Sequence, residues 1–208
     1  MKKIFLINNK NINTNTNKTS VKKNNIIVIG NGPSVLKHEF GNIIDNFDEV
    51  VRINHYVPSK NVGKKLTIFA HSTYGTIIYN NVFSMAKEIL VWNQTNSKEF
   101  KSYKSVKNTI IDKRPIETIL KKNFNFNIYP QGPWCSTGVA ILMYLINKYE
   151  KICIHGFDYL QKSKQLHYFE SKIIKTSEHS SILEKKFIEH YLKLGKLYKL
   201  EDLENNQD

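Results

Sequence analysis

Cysteine is almost missing: the 208 residues contain only Cys135 and Cys153, with no paired spacing that would mark a disulfide framework or a zinc site. A reducing compartment is therefore expected. Long apolar runs are missing too, and nothing approaches the roughly 20 residues that cross a bilayer as a helix. Met1 to Ile7 combine lysines with a short apolar run, which falls short of a signal-peptide core. These features lead to the expectation of a cytoplasmic protein, free in solution or peripheral to a membrane. No Asp-X-Asp triplet occurs, so the paired carboxylates that commonly hold a divalent cation against a nucleoside diphosphate are lacking. Acidic side chains are few as well: 18 Asp and Glu face 31 Lys and Arg, for a net charge of +13. Such an excess favours polyanionic partners, whether nucleic acid, anionic membrane surfaces or phosphorylated and acidic sugars, without choosing among them.

What is present has the composition of a globular chain, 40% hydrophobic and 12% aromatic, and the length suits one ordinary domain. Residues 1–24 are expected to form a flexible leader, because the stretch from Asn8 to Asn25 is Asn, Thr and Lys with few apolar side chains to offset the entropy of ordering. The folded part, 25–200, opens with Ile26-Ile27-Val28-Ile29, a β-branched run bounded by Gly30 that reads as a buried strand. Further short apolar runs at Glu49 to Ile53, Leu66 to Ala70, Ile89 to Trp92 and Lys151 to His155 are separated by segments long enough for crossovers. That rhythm predicts an α/β architecture with a mostly parallel sheet flanked by helices. Two helices stand out: Thr137 to Lys148, apolar on nearly all faces, and Ser181 to Lys196, with Leu183, Phe187, Tyr191 and Leu194 on one stripe. The acidic, polar tail 201–208 is expected to fray.

Polar groups recur where strands end. Gly30-Asn31-Gly32-Pro33-Ser34 follows the first strand directly, and its glycines would let backbone approach a ligand at the strand's carboxyl end. The spacing is neither a dinucleotide fingerprint nor a P-loop, so a plain tight turn reads equally well. Asn54 closes the second strand, where it can bond a ribose or pyrimidine edge or simply cap a loop. Pro133-Trp134-Cys135-Ser136-Thr137-Gly138 leads into the apolar helix, whose free N–H groups and hydroxyls can cradle a phosphate, although Ser or Thr also serves as an ordinary N-cap. The strand at Ile152 to His155 runs into Gly156-Phe157-Asp158. Finally His167-Tyr168-Phe169-Glu170, then His179 with Glu184 five positions later, bring titratable imidazoles near a helix start. A histidine there can take a proton from a hydroxyl, and His167, Tyr159 or Tyr168 can stabilise a departing phosphate. Most of the seven histidines must have no such role.

Taken in order, these blocks resemble the large, small, third and very small motifs of the sialyltransferases, glycosyltransferase family 29, over about Ile26 to Lys199. The large motif is matched by Gly30-Asn31-Gly32 through Val51-Arg52-Ile53-Asn54 and Val62-Gly63-Lys64-Lys65. Ser136-Thr137-Gly138 to Gly156-Phe157 matches the small motif. The Gly-Asn-Gly-Pro-Ser block is also similar to the bacterial family 42 sialyltransferases. The resemblance implies a single Rossmann-like, nucleotide-binding domain of the sialyltransferase type. It implies an inverting transfer of sialic acid, or a related acidic sugar, from a CMP-sugar to a glycan hydroxyl, with no metal and no cofactor. The catalytic residues implied are His179, as general base, and His167. The CMP and donor contacts implied are Gly30, Asn31, Gly32, Ser34, Asn54, Ser136, Thr137, Gly138, Gly156, Phe157, Tyr159 and Tyr168. The cysteine pair that joins large and small motifs in the animal enzymes has no counterpart near Ile26.

The acceptor is expected to be a glycan such as a lipooligosaccharide, with peripheral contact to an anionic membrane and no nucleic-acid partner. The alternatives are a CMP-Kdo transferase, a non-catalytic nucleotide-binding domain, or a basic nucleic-acid-binding protein, whose affinity would fall steeply with salt and ignore CMP.

Overall fold

The computed structural model describes residues 25–72, 85–92, 107–127, 134–159, 167–169 and 179–204. The proposed leader, Pro133, Glu170 and the tail beyond residue 204 lie outside them.

Seven strands form one sheet in the order β5-β4-β3-β2-β1-β6-β7. They are β1 (Ile26–Ile29), β2 (Glu49–Ile53), β3 (Ile68–Ser72), β4 (Glu88–Trp92), β5 (Lys107–Ile110), β6 (Ile152–His155) and β7 (Leu197–Lys199). Every pairing is parallel, so the expected Rossmann-like α/β fold is what the chain adopts. A parallel sheet must be covered on both faces, which is why its strands read as continuous apolar runs. Alternation along β1 shows the division: Ile26 and Val28 join one core, Ile27 and Ile29 the other.

The larger core lies under α2 (Lys113–Phe124), α3 (Thr137–Ile146) and α4 (Ser181–Lys193). Helix α3 buries Val139, Ala140, Ile141, Leu142, Met143, Leu145 and Ile146, which explains an apolar surface extending nearly all round. The opposite face carries a 3₁₀ turn (Pro33–Lys37) and α1 (Gly41–Asp45), with Phe40, Ile44 and Phe47 against Val50 and Cys153. Among the described residues no helix is long and apolar enough to cross a membrane.

Several expected boundaries shift. The third strand starts at Ile68, because Leu66 and Thr67 are used as a turn in which the Thr67 N–H and hydroxyl both bond Val50. Helix α3 ends at Ile146 rather than Lys148, and α4 at Lys193 rather than Lys196. The left-handed Gly195 (φ +65°) terminates α4 and leaves Leu194 59% exposed, so Leu194 does not belong to the buried stripe. That stripe is Glu184, Phe187, Ile188 and Tyr191. The tail does not fray at once: α5 (Glu201–Glu204) follows β7, and Glu201 accepts from His155 Nδ1 at 2.8 Å.

Strand order reverses at β1, whose neighbours are β2 on one side and β6 on the other. In open α/β sheets the crevice at such a reversal, beyond the carboxyl ends, is where ligands bind. The turns that leave β1 and β6, Gly30–Ser34 and Gly156–Asp158, meet at that point.

Candidate functional site

The glycine-rich turn after β1 is packed against protein. Gly30 N–H donates to the His155 carbonyl at 2.8 Å and Gly32 N–H to the Gly156 carbonyl at 2.9 Å. A Cβ on Gly30 would stand 2.3 Å from the Gly156 oxygen, and one on Gly32 2.5 Å from the Asp158 carboxyl carbon. Gly156, at φ +74°, would collide with Val35 in the same way. The glycines are thus demanded by two turns in contact. Ser34 donates its backbone N–H to Asp158 Oδ2 at 2.8 Å, so Asp158 caps the 3₁₀ turn across 124 residues of sequence.

Asn31 gives both of its amide hydrogens to backbone, bonding the carbonyls of Ile53 (2.8 Å) and His55 (2.9 Å) beyond β2. Only its Oδ1 is left for a ligand among the described residues. Asn54 is left-handed at φ 53°, a conformation Asn tolerates better than most residues, and its Oδ1 accepts from Ser72 N–H at 3.1 Å. Among the described residues its side-chain NH2 is the group that remains. Arg52, part of the large-motif match but given no role there, is 1% exposed and bonds the carbonyls of Val62 (2.6 Å) and Lys65 (3.1 Å), anchoring the Val62–Lys65 loop. Burial pulls its pKa down. Asp45 completes that anchor by accepting from the N–H groups of Lys64 and Lys65.

The His167–Phe169 segment docks on the same turn, with Tyr168 N–H donating to the Asn31 carbonyl at 2.9 Å. His167 stacks on Phe169 (5.3 Å between ring centres), whose ring meets His55 edge-on. The Tyr168 hydroxyl accepts from Val57 N–H (2.6 Å) and donates to the Val57 carbonyl (2.8 Å). With both capacities used and 9% exposure, Tyr168 is a clamp in this arrangement, where the sequence had suggested a phosphate ligand.

On the other side of the crevice stands the start of α3. Ser136 caps the helix by accepting from Val139 N–H at 3.3 Å, the ordinary N-cap role. Its own N–H donates to Glu184 Oε1 at 2.9 Å. Thr137 and Gly138 N–H, in the first turn, are left without an acceptor among the described residues. The Phe157 ring lies 3.0 Å from the place a Gly138 Cβ would take, so glycine there lets the second turn close onto the helix. Tyr159, left-handed at φ 58°, is half-buried against the larger core.

His179 pairs by a β-bridge with Trp134, and its Nδ1 lies 3.1 Å from the Trp134 carbonyl oxygen. A carbonyl can only accept, so Nδ1 carries the proton and Nε2 is left with the lone pair. Glu184, 5% exposed, sits one helical turn into α4. Burial raises its pKa, against the opposing pull of the hydrogen bonds from Ser136 and of the His179 ring in its protonated form. Two polar ties, His179 to Trp134 and Glu184 to Ser136, therefore stitch the His179 segment to the helix start. His167 belongs to the Asn31 side of the crevice, and His179 to the α3 side.

The family model for glycosyltransferase family 29 (sialyltransferase) matches residues 1–114 of the chain. Among solved structures, a mammalian sialyltransferase is similar with a TM-score of 0.62 and 18% identity, covering 86% of this chain and 69% of that one. The sialyltransferase CstII from Campylobacter jejuni, in complex with the substrate analogue CMP-3FNeuAc, is similar with a TM-score of 0.53 and 20% identity, covering 85% and 81%. Protein Ycf2 of Physcomitrium patens is 34% identical over 128 residues, which span 61% of this chain and 5% of that protein.

Proposed function

Since the chain belongs to glycosyltransferase family 29, the sialyltransferases, we propose that it transfers sialic acid from a CMP-linked donor to a glycan hydroxyl with inversion, and that His179 is the base. The observation that carries this reading is the tautomer of His179: with Nδ1–H held by the Trp134 carbonyl, Nε2 has a lone pair for an acceptor proton. In the step envisaged, the acceptor hydroxyl gives its proton to Nε2 as its oxygen bonds the anomeric carbon. The bond from that carbon to the phosphate oxygen breaks, and CMP departs with the electron pair.

A monophosphate suits the free N–H groups of Thr137 and Gly138, where the helix supplies partial positive charge. One phosphate held in this way needs no metal in the scheme. His167, held beside the first turn through Tyr168 N–H and the Asn31 carbonyl, is the group assigned to the departing phosphate. The side-chain NH2 of Asn54 and Oδ1 of Asn31 are assigned to the cytidine, whose edge carries both donors and acceptors. A lipooligosaccharide acceptor at a membrane surface is compatible with the chain's net charge of +13.

The test is calorimetric titration with CMP, UMP and GDP without added metal, followed by transfer assays with CMP-sialic acid on the unsubstituted protein and His179→Ala. Selective CMP binding, with transfer lost and CMP affinity kept in the variant, is the expected result. Turnover retained by His179→Ala removes the base from the mechanism, and indifference to CMP removes the transferase reading.

A further inference from the structure

The carboxyl rim of the sheet carries a cation outside the two walls of the crevice. Helix α2 follows β5, while α3 leads into β6 and α4 into β7, and these strands pair in parallel. Helices in such connections run back from the carboxyl rim, so all three begin there. They also pack together: Phe124 of α2 meets Phe187 of α4 at 5.2 Å between ring centres, and Cys135, just before α3, shares their core. Lys113 opens α2 at that rim. It is half-buried, whereas Asp112, Arg114 and Pro115 beside it are exposed. Its Nζ lies 5.9 Å from the centre of the Trp92 ring at the end of β4, and Trp92, 7% exposed, is a fixed support. Arg114 is paired with Asp112 at 3.0 Å, but the Lys113 ammonium has no ion pair and no hydrogen bond among the described residues. Burial pulls its pKa down, against the weaker attraction of Glu117 one turn further along α2.

Two observations relate this cation to the crevice. Cys135 lies within its electrostatic reach, and the residue before Cys135 is Trp134, which bridges to His179 and holds His179 Nδ1 at 3.1 Å. Ser72 pairs in register with Trp92 and gives its N–H to Asn54 Oδ1. Two strand spacings therefore separate Trp92 from the end of β2 where Asn54 sits, about 10 Å, or roughly the breadth of one sugar. We propose that Lys113, braced on Trp92, forms an acceptor subsite: it holds a negatively charged group, carboxylate or phosphate, on the glycan whose hydroxyl faces His179, and so directs transfer to acidic acceptors. The inference rests on the transferase reading above and adds the chemical class of its acceptor. A cation partly withdrawn from water and left unpaired binds an anion more strongly than a solvated surface lysine does. Lys113 touches no reacting atom in this scheme; it decides which glycan settles beside the base.

The experiment compares lactose with sialyllactose and lactose phosphate, which add a carboxylate or a phosphate to the same neutral sugar. Calorimetry on the CMP-loaded protein reads binding, and initial rates with CMP-sialic acid read use. At least one charged sugar is expected to bind, and to be used, at least tenfold better than lactose, with the advantage shrinking as salt is raised. Lys113→Gln should raise KM for that sugar about tenfold, while kcat, the KM for lactose and CMP affinity stay within about twofold; Lys113→Met serves the same comparison if the Gln variant does not fold. Lys113→Arg should keep the preference. A merely structural lysine would shift neutral and charged acceptors alike. Equal treatment of neutral and charged sugars by the unsubstituted protein, absence of acceptor binding once CMP is bound, or an unchanged ratio in Lys113→Gln overturns this inference alone. Failure of the unsubstituted protein to bind CMP overturns the reading beneath it.

Discussion

Glu184→Ala removes the tie between α4 and the start of α3. The carboxylate is 5% exposed and accepts from Ser136 N–H at 2.9 Å. Truncation leaves a buried donor unpaired, at about 1–3 kcal/mol. It also withdraws one methylene from packing, at about 0.8 kcal/mol. A net loss of about 3 kcal/mol corresponds to an unfolding midpoint about 6–12 °C lower for a domain of this size. Glu184→Gln separates the hydrogen bond from the charge, because its oxygen can still accept. Burial raises the Glu184 acid above its ordinary value of 4.5, despite the Ser136 hydrogen bonds and His179. An acid whose folded pKa is raised contributes stability that is complete below its unfolded value and is lost as pH rises through the folded one. The Gln protein should therefore match the natural one near pH 4 and become the more stable of the two as pH climbs from 4.5 towards neutrality. Calorimetric melting of the three proteins from pH 4 to pH 8 reads both effects. Parallel pH profiles for Glu and Gln would refute the claim that burial penalises the carboxylate, and equal midpoints for Ala and Gln would refute the contribution of the hydrogen bond.

Gly156→Ala combines a left-handed φ of +74° with a Cβ 2.3 Å from Val35 Cγ1. A loss of about 3 kcal/mol is expected from strain and overlap together, and a midpoint within a degree of the natural protein's would contradict it. Tyr168→Phe should lower the midpoint through the lost Val57 bonds, by about 1 kcal/mol, with kcat at saturating donor retained; a kcat collapse at unchanged stability would return Tyr168 to the leaving phosphate. Glu201→Gln weakens the bond from His155 Nδ1. Burial alone would raise Glu201, but the hydrogen bonds from His155 and backbone, with the His155 and Lys199 charges, hold it below 4.5. That stability is present above the ordinary value and lost as pH falls through the folded one, so the deficit of the Gln variant should show at neutral pH and vanish in acid melts.

Legibility in the sequence followed burial. Strands β1, β2, β4 and β6 sit in the sheet's interior and are covered on both faces, so each announces itself as an apolar run. Edge strand β5 reads Lys-Asn-Thr-Ile, and β7 is three residues long; neither contains a run to detect. Helix α2 was missed for a different reason. Its apolar residues Ile116, Leu120 and Phe124 do recur every fourth position, but Glu117, Thr118, Lys121, Lys122 and Asn123 break up the segment between them. That stripe, with Asp112 as N-cap and left-handed Asn125 closing the helix, was the available signal. The residues of the site were visible as motifs, whereas their pairings were not. The Ser34–Asp158 bond spans 124 residues and the Ser136–Glu184 bond 48, distances over which no local pattern carries information.

The same long-range bonds decide what each motif residue can still do. A crevice at a sheet's reversal is assembled from segments far apart in the chain, and buried polar groups there must find partners in one another. Motif residues therefore divide atom by atom. Asn31 spends its NH2 on Ile53 and His55, Asn54 its oxygen on Ser72, Ser136 its oxygen on Val139, and His179 its Nδ1 on Trp134. What remains is a set of mixed sign on two walls: Asn31 Oδ1 and the Asn54 NH2 on one, the Thr137 and Gly138 N–H groups and His179 Nε2 on the other. Donors for an anion and a lone pair for a proton thus fall on the α3 wall together, while among the described residues the side chains of Asn31 and Asn54 leave one acceptor and one donor, as a nucleobase edge or ribose requires. Substituting a whole side chain removes both uses at once, so separating assembly from ligand contact calls for isosteric changes: Asn31→Asp would abolish the bonds to Ile53 and His55 while keeping Oδ1, and should cost stability before it costs CMP affinity.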